Sequence, residues 1–204
     1  MALSGRRAQA AANDERILEA ARAVFVADPG APIAAVAARA GVGISALYRR
    51  YASKDDLVRA IVGEGLARYI EEISGALEGD PWTAFTAFME RVVDADLHSM
   101  TSRLAGTFEP TPELTEAGTR AGELNARLFE RLQGVIRADL DVNDLSFLLE
   151  QIASVRLRDP NRTRELRRRY LALTLAAMRP SDIEPLPGPP PSWQDNAGRW
   201  EPPS

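Results

Sequence analysis

Residues 41–57 read GVGISALYRRYASKDDL. Gly41 and Gly43 break the chain, residues 44–50 then carry apolar, aromatic and basic side chains at helical spacing, and Ser53 is followed by Asp55 and Asp56. Serine before two acids is the signature of a helix start, because the hydroxyl accepts from a free backbone N–H and the acids complement the positive end of the helix dipole. A helix over about 44–50 is therefore predicted between a glycine turn and the next capped helix. So short a helix is not stable alone and must be held by its neighbours.

Those neighbours are legible on both sides. NDERILEAARAVFVAD, residues 13–28, places Ile17, Leu18, Ala21, Val24 and Phe25 on one helical face, with a cap-like Asn13, acids Asp14 and Glu15 in the first turn and Pro29-Gly30 after the end. A second helix starts at Pro32, presents Ile33, Val36, Ala37 and Ala40, and ends at Gly41. After Ser53 a fourth carries Leu57, Ile61 and Leu66, weakened in its middle by Gly63 and Gly65. Two short helices joined by a glycine turn make a helix-turn-helix: Ala37 lets them cross closely, Gly41 supplies the left-handed turn, and Val42 and Leu47 pack back. Ser45, Ala46, Tyr48 and Arg49 then face outward with the size and chemistry to enter a major groove, and Tyr48, Tyr51 and Lys54 are placed to reach phosphates. The plainer alternative makes the tyrosines core and Lys54 a solvated charge.

The run from Ile17 to Leu57, with ILEAARAVF, VAARAGV and ALYRRYASKDDL, resembles the N-terminal DNA-binding domain of the TetR (tetracycline-repressor-like) transcriptional regulators. The resemblance implies a homodimer on an inverted-repeat operator of double-stranded DNA, released by a small-molecule effector. It implies a DNA-contacting set of Ile44, Ser45, Ala46, Tyr48, Arg49, Tyr51 and Lys54, the early residues on base edges and Tyr48, Tyr51 and Lys54 mainly on the backbone. One departure is Gly43, which stands where the family commonly has a hydroxyl residue.

Beyond about residue 78, GDPW breaks the chain and helical stretches are predicted at about 82–100, 112–138, 143–157 and 162–178, with a short helical or irregular piece at 101–108. The fold class is all-α. The resemblance implies a ligand cavity in this body, for which Phe85, Phe88, Met89, Val92, Asp96, Met100, Leu104, Phe108 and Phe129 are the candidates; their alternative role is core. Leu145, Leu148, Leu149 and Ile152, then Leu166, Tyr170 and Leu173, exceed what a one-sided contact requires, so the last two helices are predicted to pair across a two-fold axis. Seven arginines between Arg156 and Arg169 read as a solvated rim or as partners for acids, with a second polyanion site as the alternative. The expected domains are a flexible basic arm at 1–12 with Arg6 and Arg7, a DNA-binding domain at 13–60 whose last helix continues to about 78, a ligand-binding and dimerisation domain at 79–179, and a Pro-rich tail at 180–204. At that proline density the tail reads as disordered or loosely docked, with Trp193 and Trp200 as candidate pins.

Composition narrows the function classes. Through residue 60 there are nine basic and six acidic residues, +3, against sixteen and twenty-three, −7, in the remainder. A mildly basic head sits on an acidic body. Cysteine is absent and His98 is the single histidine, which leaves no thiolate or clustered-histidine metal site and no cysteine or serine triad. No enzyme, metal or other cofactor is expected. Residues 1–15 lack the apolar run of a signal peptide, and no stretch of about 18 apolar residues occurs, so a cytoplasmic protein with no membrane partner is expected. A DNA-binding architectural protein without an effector is the competing class.

Overall fold

Helix caps and glycine stops divide the chain into ten α-helices in the computed structural model, which describes residues 2–104, 106–180 and 184–197. These are α1 (Ala2–Ala27), α2 (Ile33–Ala40), α3 (Ile44–Arg50), α4 (Lys54–Gly75), α5 (Pro81–Asp94), α6 (Leu97–Leu104), α7 (Pro112–Arg131), α8 (Asp144–Ser154), α9 (Pro160–Met178) and α10 (Trp193–Ala197). No strand occurs among the described residues, as expected for an all-α chain. Gly41 closes α2 at φ 65°, where a β-carbon would be strained, and the following Val42 N–H donates to Ala37 at 3.1 Å. Ser53 caps α4 by accepting from Asp56 N–H at 3.0 Å. Asp80 does the same for α5, accepting from Thr83 N–H at 2.9 Å, with Pro81 in the first turn.

Four expectations change. α1 begins at Ala2, so the backbone of residues 2–12 is helical rather than a flexible arm and Asn13 lies inside the helix instead of capping it; the Arg6 and Arg7 side chains lie outside the described residues. The stretch at 82–100 is two helices, because Asp96 adopts φ 52° between α5 and α6. The stretch at 112–138 ends at Arg131, with Gly134 at φ 75° just beyond it. The tail holds α10 and docks on the α7–α8 connection: Leu186 N–H donates to Asp139 at 2.8 Å and the Asn196 amide to Asn143 Oδ1 at 3.3 Å. Trp193, a candidate pin, is 66% exposed, and Trp200 lies outside the described residues.

Apolar burial is concentrated in two clusters. The first joins α1, α2 and α3 to the start of α4 through Phe25, Val36, Leu47, Leu57 and Ile61, and it also takes in Met100 and Leu104 of α6 and Phe108. The second gathers Ile73 of α4 with residues of α5, α7, α8 and α9, including Phe85, Phe88, Leu128, Leu149 and Leu171. Each fully buried Leu or Phe contributes roughly 1.5–3 kcal/mol. Helix α4 runs through both clusters, and Gly63 lets α7 come close, since a β-carbon there would lie 3.2 Å from Leu114 Cδ2.

Candidate nucleic-acid interface

A single fully buried side chain, Leu47, seats α3 in the first cluster. The helical turn then sends Ile44, Ser45, Tyr48 and Arg49 outward, with Ile44 40% and Tyr48 48% exposed and Ala46 half-buried. An apolar side chain and a tyrosine that exposed, beside an arginine, form a face left open among the described residues.

The other two expected contacts turn inward. Tyr51 is buried, and its hydroxyl donates to Asp14 Oδ1 on α1 at 2.8 Å. Burial, then that carboxylate, raises its ionisation to about 12. Lys54 donates through Nζ to Pro29 O at 2.7 Å and stands 5.1 Å from the centroid of the Phe25 ring. Its ammonium holds the α1–α2 connection rather than standing free at the surface.

Sequence reasoning missed the charged side chains that fasten the two short helices to α1. Arg50 grips Asp14 with two donors, Nε to Oδ1 at 2.8 Å and a terminal nitrogen to Oδ2 at 2.5 Å. The Arg50 hydrogen bonds hold the Asp14 carboxyl below its ordinary range, and Asp14 in turn raises Arg50. Arg16 donates to Ala40 O at 2.5 Å, a cation on the last carbonyls of α2. Asp14 reads in sequence as an ordinary first-turn acid, and no spacing rule links it to a residue thirty-six positions on.

The ligand candidates separate. Phe85, Phe88, Met89 and Val92 are sealed in the second cluster, with Phe129 packed against it. Met100, Leu104 and Phe108 belong to the first. Asp96 is taken by protein groups, accepting from Ser99 Oγ and from Arg167 at 2.7 Å. The apolar candidates thus divide between the two clusters, and a void of about 10 Å³, at most one water, touches Val92 and Asp96. A groove of about 660 Å³ opens elsewhere, floored by Ile70 of α4 and Ala117 and Leu124 of α7 and rimmed by Glu113, Glu116, Arg120 and Glu123.

The expected dimer surface also divides. Leu145, Leu149 and Ile152 are 2–3% exposed within the chain's own second cluster, because α8 turns its apolar face onto α5 and α9, so they are not open to a second copy. Leu148 and Leu166 are half-buried. Tyr170 and Leu173 stand 43% and 58% exposed on α9. Of the arginines, Arg168 pairs with Asp94 through bonds of 2.8 and 2.6 Å, Arg162 with Glu165 at 2.8 Å, and buried Arg167 with Asp96. Some of the seven are thus partners for acids, while Arg158, Arg164 and Arg169 lie exposed as a solvated rim.

An all-α chain whose first helices form a helix-turn-helix, with the second of the pair presenting an exposed aromatic and basic face, has the architecture of a helix-turn-helix protein. Residues 17–61 match the family described as bacterial regulatory proteins, tetR family. The chain resembles TetR transcriptional regulators in this N-terminal stretch and in its overall fold.

A TetR transcriptional regulator from Streptomyces coelicolor is 26% identical, with 82% of this chain and 98% of that one covered and a TM-score of 0.55. A TetR transcription regulatory protein from Mycobacterium vanbaalenii is also 26% identical, over 85% of this chain and 99% of that one, at 0.56. The HTH-type transcriptional repressor LfrR of Mycolicibacterium smegmatis is 36% identical over 105 residues, 48% of this chain and 53% of that protein. The chain thus spans about half the length of that curated relative.

Proposed function

We propose that this protein is a transcriptional repressor that binds an inverted-repeat operator as a homodimer and is released by a small molecule. The observation that carries the reading is the division of α3: Leu47 is buried while Ile44, Ser45, Tyr48 and Arg49 are outside. Two turns of helix suffice to lay early side chains on base edges, and Ile44, Ser45 and Ala46 suit thymine methyls or a single hydrogen bond. Tyr48 and Arg49 supply the backbone contacts. Lys54, engaged with Pro29 and Phe25, steadies the head instead.

Residues 13–60 serve as the DNA-binding head and 79–179 as the body, joined by α4. Two-fold pairing through α9, centred on Tyr170 and Leu173 with Leu148 and Leu166 at its margin, sets the spacing of the two copies of α3. The effector occupies the groove between α4 and α7, a choice supported by its volume of about 660 Å³ and by its wall on the helix that carries both apolar clusters. An effector that prefers the displaced α4 by ~1.4 kcal/mol lowers DNA affinity tenfold.

Selection from a random duplex library, then fluorescence anisotropy on the enriched DNA, tests the reading. An enriched inverted repeat bound in preference to random duplex is expected; no enrichment refutes it. Ligands that bind the body yet leave operator affinity unchanged would favour the effector-free architectural class.

A further inference from the structure

A seven-residue helix seated by one buried leucine is free to roll about its axis unless something else fixes its rotation. Three donors at the far end of α3 do so, all on one carboxylate. Asp14 Oδ1 accepts from Arg50 Nε and from the Tyr51 hydroxyl, each at 2.8 Å, and Oδ2 accepts from the second Arg50 nitrogen at 2.5 Å. Both oxygens are occupied, and the acceptor sits on α1, a helix packed on α2 and α4 and hence on the frame of the head. The guanidinium is planar and its two-point contact directional, so it resists rotation in a way a single hydrogen bond does not. We propose that Asp14 is a positioning residue for sequence recognition: without touching DNA, it fixes the rotation of α3 through Arg50 and Tyr51, and with it which side chains meet the bases.

The arrangement also assigns different roles to the adjacent arginines. Arg50 is charge-compensated and faces α1, whereas Arg49 makes no ion pair among the described residues and is left to meet phosphate. Removing Asp14 therefore has two separable consequences. The base-reading face loses its fixed angle, and a second guanidinium becomes available to any DNA.

This inference rests on the proposed DNA-binding function, and the test separates the two. The selected duplex and a random duplex of equal length are titrated by anisotropy across a salt series with the wild type, Asp14→Ala, Asp14→Asn, and Arg50→Ala/Tyr51→Phe with and without Asp14→Ala. Asp14→Ala is expected to reduce the ratio of selected to random affinity by about tenfold, comparable to losing one base contact. Affinity for the random duplex should hold or rise, with a steeper salt dependence as Arg50 gains phosphate. In the Arg50→Ala/Tyr51→Phe background, adding Asp14→Ala should change the ratio by less than about twofold, since the residue acts through those partners. Unchanged discrimination, or a proportionate loss on both duplexes, overturns the positioning role. If Asp14→Ala does not fold by circular dichroism, Asp14→Asn carries the same comparison, because it loses the charge and the two-oxygen grip but keeps one acceptor. A wild type that prefers no duplex overturns the function and this inference together; a discriminating wild type matched by its Asp14 variants overturns the inference alone.

Discussion

Arg167→Met removes a buried cation while keeping an unbranched apolar stem in its place. Arg167 is 6% exposed and donates from Nε to Val155 O at 3.0 Å, and from its terminal nitrogens to Ala153 O and to Asp96 Oδ1, each at 2.7 Å. It therefore ties the end of α8 to the bend between α5 and α6, where Asp96 is held at φ 52°. Removing one partner of a buried pair costs about 3–5 kcal/mol. The Asp96 side chain is 38% exposed and regains part of its hydration, which lowers that figure. Two carbonyls at the end of α8 lose their donor at about 1 kcal/mol each. A net loss of roughly 3 kcal/mol follows, a large share of the 5–15 kcal/mol that usually holds a domain. Urea unfolding at fixed protomer concentration should show a lower midpoint at unchanged slope, and Arg167→Met with Asp96→Ala should depart from additivity by about 1 kcal/mol or more. A loss below about 1 kcal/mol, or strict additivity, would refute the reasoning.

Lys54→Ala should cost about 1–2 kcal/mol in urea unfolding through its bond to Pro29 and its contact with Phe25, and leave the salt slope of DNA binding unchanged; a shallower slope would restore Lys54 as a phosphate contact. Leu173→Asp, on an exposed apolar position of α9, should leave monomer or aggregate in sedimentation, and a persistent dimer would move the interface elsewhere. Arg50 depresses the Asp14 carboxyl, so the stability this pair contributes is fully present above the unfolded carboxylate value of roughly 4 and is lost as pH falls through the lower folded value. Asp14→Asn should therefore flatten the acid limb of the stability profile, and a limb identical to the wild type's would exclude Asp14 from it.

What was legible in the sequence is what depends on local chemistry. Gly41 and Ser53 each act within a few residues of their own position, and the helix boundaries they imply occur. The break at Asp96 was legible only in part, because its carboxylate is held both locally by Ser99 and by Arg167, seventy-one positions away. The same holds for Lys54. Its sequence position is that of a surface cation, and only the approach of Pro29 and the Phe25 ring turns it inward. Periodicity identified apolar faces on α8 and α9 but not what covers them: Leu149 packs within the chain while Leu173 is left outside, and nothing in either neighbourhood's spacing distinguishes the two.

The first apolar cluster has a consequence for coupling between the proposed head and body. Were the head complete at α4, a displacement in the body would reach α3 only along that one helix. Met100 and Leu104 of α6 are instead buried with Phe25, Leu47 and Leu57, and Leu114 of α7 packs against the same cluster. The head's core is thus finished by side chains from the segment that follows the Asp96 bend, and that bend is held by Arg167 of α9. A close-packed core does not absorb such a shift by deforming smoothly. Motion of α6 therefore reaches the cluster that seats Leu47 through its packing on α1 as well as on α4. Mutations at Met100 or Leu104 should accordingly alter DNA affinity and head stability together, although neither residue approaches the exposed face of α3.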